Sequence, residues 1–227
     1  MNILHYLFKQ GGELMNKGYI MIKPDGHPYL KEFEKIILNQ GLEIEEMYYI
    51  DDWKTVCTEV NRHDLIKRDK KSYNEFFGHV WLNNYMFGNS AVVLIISKKD
   101  CNYKELLDLI LYTKKQIRNS LNATKDGTFM IALDMKKVGL DSDYFEGYLK
   151  LVDDNNQQLF SEYLSRKAKW IAFYLPYVHC PDPNIIDNEI ELNVLKKMDI
   201  LSNENRISKS EWDLMKKFKS CEKININ

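Results

Sequence analysis

The sequence predicts an α/β chain of the α+β kind, with one mostly antiparallel sheet and helices packed on it. Three observations predict this. AVVLIIS, residues 91–97, is an unbroken apolar run of strand length, as a strand covered on both faces needs. NYKELLDLILYTKKQIRNSL, residues 102–121, follows with the apolar spacing of an amphipathic helix. Strand and helix signals then alternate along the chain, and such elements bury their apolar faces by stacking helices on a sheet.

The elements follow in order. YIMI, Tyr19 to Ile22, is a short apolar strand stopped by Pro24 and Gly26. YLKEFEKIILNQG places Leu30, Phe33, Ile36 and Ile37 at helical spacing and ends on Gly41, a C-capping residue. LEIEEMYYI, residues 42–50, has β-favouring residues in partial alternation and reads as a strand. SYNEFFGHVWLNNYMFG, residues 72–88, reads as a helix with Phe76, Phe77, Val80, Trp81 and Met86 as its apolar residues. Beyond residue 121, GTFMIALDM reads as a strand, NNQQLFSEYLSRKAKW as a helix, and WIAFYLPYV as a strand running into His179. PNIIDNEIELNVLKKM reads as a helix that Asp182 or Asn184 can cap.

This order fits a ferredoxin-like βαββαβ sandwich with a four-stranded sheet, plus an inserted helical segment. GTFMIALDM and WIAFYLPYV compete for the fourth strand. The second is expected there, because it delivers His179 to a sheet edge. Residues 1–16 read as an N-terminal extension, and residues 17–227 as a single domain with an insertion at about 130–166.

The 227 residues are enough to bury a sizeable core. The formal net charge of −1 carries no basic excess for nucleic acid and no acidic tail. No run reaches the ~18 apolar residues of a membrane-spanning helix. The start, MNILHYLFKQGG, has too short an apolar run for a signal peptide. Cys57, Cys101, Cys180 and Cys221 are dispersed, with no C-x-x-C pair, and read as reduced thiols of a cytoplasmic protein. Neither a nucleic-acid partner nor a membrane is expected.

Two stretches carry chemistry. In YIMIKPDG a strand ends on Lys23 and then enters a proline-fixed turn. That lysine can stand over a cleft as a phosphate or hydroxyl ligand, or be an edge lysine beside an ordinary turn. In PYVHCPDP, residues 176–183, His179 follows a strand and precedes two prolines. It can be a packed ring, a metal ligand, a general base or a nucleophile. No second His or Cys stands at a ligand spacing from it. Neighbours on an extended chain face opposite ways, so Cys180 reads as a small buried filler. His5, His27, His63 and His79 read as surface or packing residues. Trp53, Trp81, Trp170 and Trp212 read as core or interface, and Asp153-Asp154 as a solvated turn.

Taken together, these stretches resemble the nucleoside diphosphate kinases. Their strand ending in I-K-P-D-G stands here as Ile22-Lys23-Pro24-Asp25-Gly26. YMFGNSAVVLII is similar to the family's Y-M-x-S-G-P-V-V stretch. RNSLNAT keeps Arg118 and Thr124 at the family's spacing, and HCPD is similar to the family's H-x-S-D around its histidine. The resemblance spans residues 17–125 and 169–198, about two-thirds of the chain.

It implies ping-pong phosphoryl transfer through a phosphohistidine at His179, from a nucleoside triphosphate to a nucleoside diphosphate. Imidazole titrates near neutrality, so a neutral ring nitrogen is available as nucleophile. Lys23, Arg118 and a Mg²⁺ on the phosphates would supply the positive field. The resemblance also implies that Thr124 bonds a phosphate, that Glu189 holds the ring through its other nitrogen, and that Phe77 or Phe76 stacks on the base. It implies a homo-oligomer, at least a dimer.

The chain departs from the family at four places. Pro176 stands where the family has a ribose-binding asparagine, and Pro181 where it has a serine. Met130 stands where it has a second phosphate-binding arginine, and the segment around 130–166 is extra. Lost phosphate contacts of about 1.5–3 kcal/mol each would slow turnover. The competing reading is a nucleotide-binding or scaffold protein that reuses the fold.

Overall fold

The computed structural model describes residues 17–66, 80, 83–84, 87–120, 129–134, 170–175 and 177–218. Its centre is a four-stranded, wholly antiparallel sheet in the order β2-β3-β1-β6. β1 (Gly18–Ile22) and β3 (Ala91–Ser97) lie in the middle, so both faces of each are covered and nearly every residue is buried. That is why both read as unbroken apolar runs. β2 (Glu43–Ile50) forms one edge, with a register irregularity between Ile44 and Glu46.

Strand alternation divides the core in two. Ile20, Ile22, Val92, Leu94 and Ile96 face one helical layer. It contains α1 (Leu30–Asn39), α3 (Tyr103–Ser120) and α5 (Lys209–Phe218). Tyr19, Met21, Val93 and Ile95 face the other, with α2 (Trp53–Leu65) and α4 (Ile185–Lys197). Tyr19, His179 and Glu191 meet on this second side of the sheet.

The expected helix ends are present. Gln40 caps α1, and Gly41 follows at φ +69, the left-handed conformation that glycine adopts without cost. Asn184 caps α4, its side chain accepting the Ile186 N–H at 2.9 Å. Two helices go beyond the sequence reading. α2 starts at an Asp52 cap that accepts the Thr55 N–H, and α5 follows a short 3₁₀ turn at Asn203–Asn205.

The fourth strand requires a correction. WIAFYLPYV does not enter the main sheet as one strand. Its first part, β5 (Trp170–Leu175), pairs with β4 (Phe129–Asp134) in a separate two-stranded ribbon. Only β6 (Val178–His179) joins β1. Between the two, Tyr177 turns the chain at φ +51. β4 falls at the start of the segment expected as an insertion, about 130–166, and β5 lies beyond its end. The helices expected over 72–88 (in large part) and 155–170 (all but Trp170, which begins β5) lie outside the described residues, as do His5, His79, Trp81, Asp153, Asp154 and Cys221.

Candidate functional site

The turn after β1 builds the site. Lys23 has extended backbone, and Pro24 opens a 3₁₀ turn over Pro24–Tyr29. The Lys23 N–H donates to the Tyr177 carbonyl at 2.8 Å, and the Tyr177 N–H donates to Asp25 Oδ2 at 3.0 Å. Both main-chain groups of Tyr177 are therefore held by this turn. Its ring packs edge-on against Tyr29, 5.5 Å between centroids, so an aromatic residue is kept in the left-handed region. Gly26 permits the approach: a Cβ there would meet the Tyr177 oxygen at 2.7 Å. Burial raises the Asp25 carboxyl pKa, against the pull of Asn83 and Lys23.

This clamp sets the register of β6. His179 stands opposite Met21, so its ring shares the face of Tyr19 and Met21, while Val178 and Cys180 go to the other core. Cys180 is the buried filler expected. The His179 and Tyr19 rings are 6.0 Å apart. Glu191 reaches them from α4. Its Oε2 accepts both the Tyr19 hydroxyl and His179 Nε2, the latter at 2.8 Å. Its Oε1 faces His63 Nε2 at 3.7 Å, and that nitrogen is 3.6 Å from Asp187 Oδ1.

The bond to Glu191 decides the tautomer. An ionised carboxylate only accepts, so Nε2 carries the proton and Nδ1 keeps its lone pair. Among the described residues nothing is hydrogen-bonded to Nδ1. Burial lowers the His179 pKa, Lys114 and Lys23 lower it further, and Glu191 opposes them. The ring is held neutral with one free nitrogen, as a nucleophile requires.

Cations surround this ring. The Lys23 ammonium lies 6.0 Å from the Trp53 ring centroid and makes no hydrogen bond or ion pair among the described residues. Burial pushes its pKa down. Arg118 Nη2 donates to the Val178 carbonyl at 3.1 Å, and burial lowers the pKa of its guanidinium. Lys114 Nζ donates to the Cys180 carbonyl at 3.3 Å. A cavity of about 330 Å³ lies elsewhere, at the C-terminal ends of α1 and α3, lined by Asn39, Gln40 and Asn119 among others. No charged side chain lines it.

Of the residues singled out from sequence, the fold brings His179, Lys23 and Arg118 together. Glu189 is a correction: Glu191, not Glu189, holds the ring. A helix turns about 100° per residue, so positions two apart face nearly opposite ways. Asn188, Glu191, Leu192 and Leu195 are the buried stripe of α4, while Glu189 sits near Tyr103. Thr124, Phe76, Phe77 and Pro176 lie outside the described residues. Met130 falls in β4. Sequence reasoning missed Tyr19, Glu191 and Lys114, and it read His63 as surface or packing. The stripe 188/191/192/195 would have found Glu191, and the four-residue spacing from Arg118 would have found Lys114.

No family model matches the chain, and no similar curated protein and no similar solved structure was found. Among the described residues no helix is long and apolar enough to cross a membrane.

Proposed function

We propose that this protein is a phosphotransferase that carries a phosphoryl group on His179 Nδ1. In this reading it moves the γ-phosphate of a nucleoside triphosphate to a nucleoside diphosphate or related acceptor. The observation that carries the proposal is the His179 ring, fixed through Nε2 by Glu191, with Nδ1 and the nearby Lys23 ammonium making no hydrogen bond or ion pair among the described residues. Burial lowers the Lys23 pKa although Asp25 opposes it, and a phosphate beside the ammonium would offset the cost of burying the charge.

The Nδ1 lone pair attacks the γ-phosphorus, and an N–P bond forms. The bond from that phosphorus to the bridging oxygen breaks, and the diphosphate leaves with the electron pair. No proton moves, because Nε2 already holds it. The phosphorylated ring carries positive charge, which the Glu191 carboxylate balances. A terminal oxygen of a second diphosphate then attacks the phosphorus, the N–P bond breaks, and its electron pair returns to Nδ1, which restores the neutral ring. Lys23 and Arg118 neutralise charge on the transferring group. Among the described residues no group of three or more His, Cys, Asp and Glu residues could hold a metal. Mg²⁺ in this reading belongs to the substrate and arrives on its phosphates. Thr124 and Phe77 keep the roles that the resemblance implies, a phosphate contact and a base platform.

The strand order β2-β3-β1-β6, with helices between the strands, supports the ferredoxin-like reading. The free thiols Cys57, Cys101 and Cys180 support a cytoplasmic location. A homo-oligomer, at least a dimer, remains part of the proposal and is read by light scattering.

The test is incubation with γ-³²P-ATP and Mg²⁺. Label that is acid-labile, base-stable and lost in His179→Ala supports the proposal. A wild-type protein that takes no label from any nucleoside triphosphate sinks it. A second reading, nucleotide binding without turnover, is favoured by the limited access to His179, whose side chain is 14% exposed. It predicts nucleotide binding with no label.

A further inference from the structure

We infer that Lys114 is a further phosphate-binding residue, completing with Lys23 and Arg118 a positive cradle for the terminal phosphates of an oligophosphate. This rests on the phosphotransfer reading of the site but is separable from it.

The sequence begins the argument. In TKKQIR, Lys114 and Arg118 stand four apart on α3, so their side chains share one helix face. Both reach the outer edge of β6, where they straddle the histidine. Arg118 bonds the carbonyl before His179 and Lys114 the carbonyl after it, at 3.1 Å and 3.3 Å. A carbonyl is a neutral dipole. It occupies one of the three ammonium donors of Lys114 and leaves the charge uncompensated. Lys114 makes no ion pair among the described residues.

Among the described residues, charges of both signs are felt at the ring. Lys114, Lys23 and Arg118 are positive. On the other side stand Asp25, committed to the Tyr177 N–H, and Glu191, committed to Tyr19 and His179. The Lys114 charge is felt at both His179 and Lys23. It therefore acts where a phosphoryl group on Nδ1 would sit. A lysine stem is flexible, so the ammonium can bond a phosphate oxygen with the donors the Cys180 carbonyl does not use.

The simpler account is that Lys114 only caps the free edge of β6. Lys114→Gln separates the two, because it keeps an amide donor for the Cys180 carbonyl and removes the charge. The probe is inorganic tripolyphosphate with Mg²⁺, titrated calorimetrically into the full chain at low and at high salt. Lys114→Gln should weaken binding by ~10-fold or more at low salt, and Lys114→Arg should restore most of it. The salt dependence should be shallower in Lys114→Gln. By NMR, the His179 ring should titrate at higher pH in Lys114→Gln, since the lost charge had lowered it.

Binding in Lys114→Gln within about twofold of wild type overturns the inference, as does a wild type that binds no tripolyphosphate. If wild type labels His179 but its tripolyphosphate affinity ignores Lys114, this inference falls and the phosphotransfer reading stands. If binding depends on Lys114 but no triphosphate labels the protein, the phosphotransfer reading falls and this one stands.

Discussion

Gly26→Ala tests how the histidine strand is held. The added Cβ would lie 2.7 Å from the Tyr177 carbonyl oxygen and 2.9 Å from Ile22 Cγ2. The oxygen is backbone, and it already accepts the Lys23 N–H at 2.8 Å, so it cannot move without stretching that bond. Overpacking of this kind costs about 1–3 kcal/mol, and loss of the Lys23 bond about 1 more. Alanine stiffens the unfolded chain and returns about 0.4–1 kcal/mol. The net is a loss of about 1.5–3 kcal/mol. For a domain of this size each kcal/mol moves Tm by ~2–4 °C, so a fall of ~3–12 °C is expected. The assay is thermal unfolding followed by circular dichroism. NMR of the His179 ring should show its contact with Glu191 weakened. A Tm within ~1 °C of wild type, with the ring resonances unmoved, would refute the idea that the turn clamps the strand.

Other outcomes follow from the same geometry. Glu191→Gln should slow His179 labelling by ~10–100-fold, since a charge-assisted bond is worth about 1.5–3 kcal/mol, while Glu189→Gln should stay within about twofold. The His179 pKa is lowered in the folded protein, so labelling should persist below the ordinary imidazole value of 6.5, and a rate profile falling at or above 6.5 contradicts this. His27 is buried with Nε2 unpaired, and burial lowers its pKa to about 3 from 6.5. The unfolded chain binds that proton first, so stability present above pH 6.5 drains as pH falls toward 3, by about 1.4 kcal/mol per unit. Urea unfolding at neutral pH and at pH 4.5 should show wild type losing about 2–3 kcal/mol more than His27→Gln. Trp212→Ala should cost about 3–5 kcal/mol in the same assay, because the ring is fully buried under α1 and its Nε1 donates to Glu34 at 2.8 Å.

The central strands were legible because burial on both faces writes itself as continuous apolar residues. β1, β3 and α3 all stand where their patterns put them. α2 was overlooked although Trp53, Val56, Cys57 and Val60 keep helical spacing after the Asp52 cap. Its β-branched residues Thr55, Val56, Thr58 and Val60 weaken the helical signal. The fourth strand was misjudged in length because periodicity registers apolar content, whereas the chain turns at Tyr177 between β5 and β6. At the candidate site, Lys23 and His179 stood out by their places at strand ends, and the resemblance gave them their expected roles. Glu191 was displaced by two residues because counting from His179 across Pro181 and Pro183 does not fix the phase of the following helix. The partners of Asp25 and Gly26 come from Tyr177, about 150 residues away, and no local pattern carries such a contact.

The ribbon has its own consequence. Phe129 pairs with Leu175 at its base and Asp134 with Trp170 at its far end. The chain thus leaves on an excursion and returns beside its point of departure. Tyr177, two residues past that base, is then gripped by the turn after β1. The register of His179 against Met21 is thus set next to the histidine itself, by the two hydrogen bonds that tie the main chain of Tyr177 to that turn.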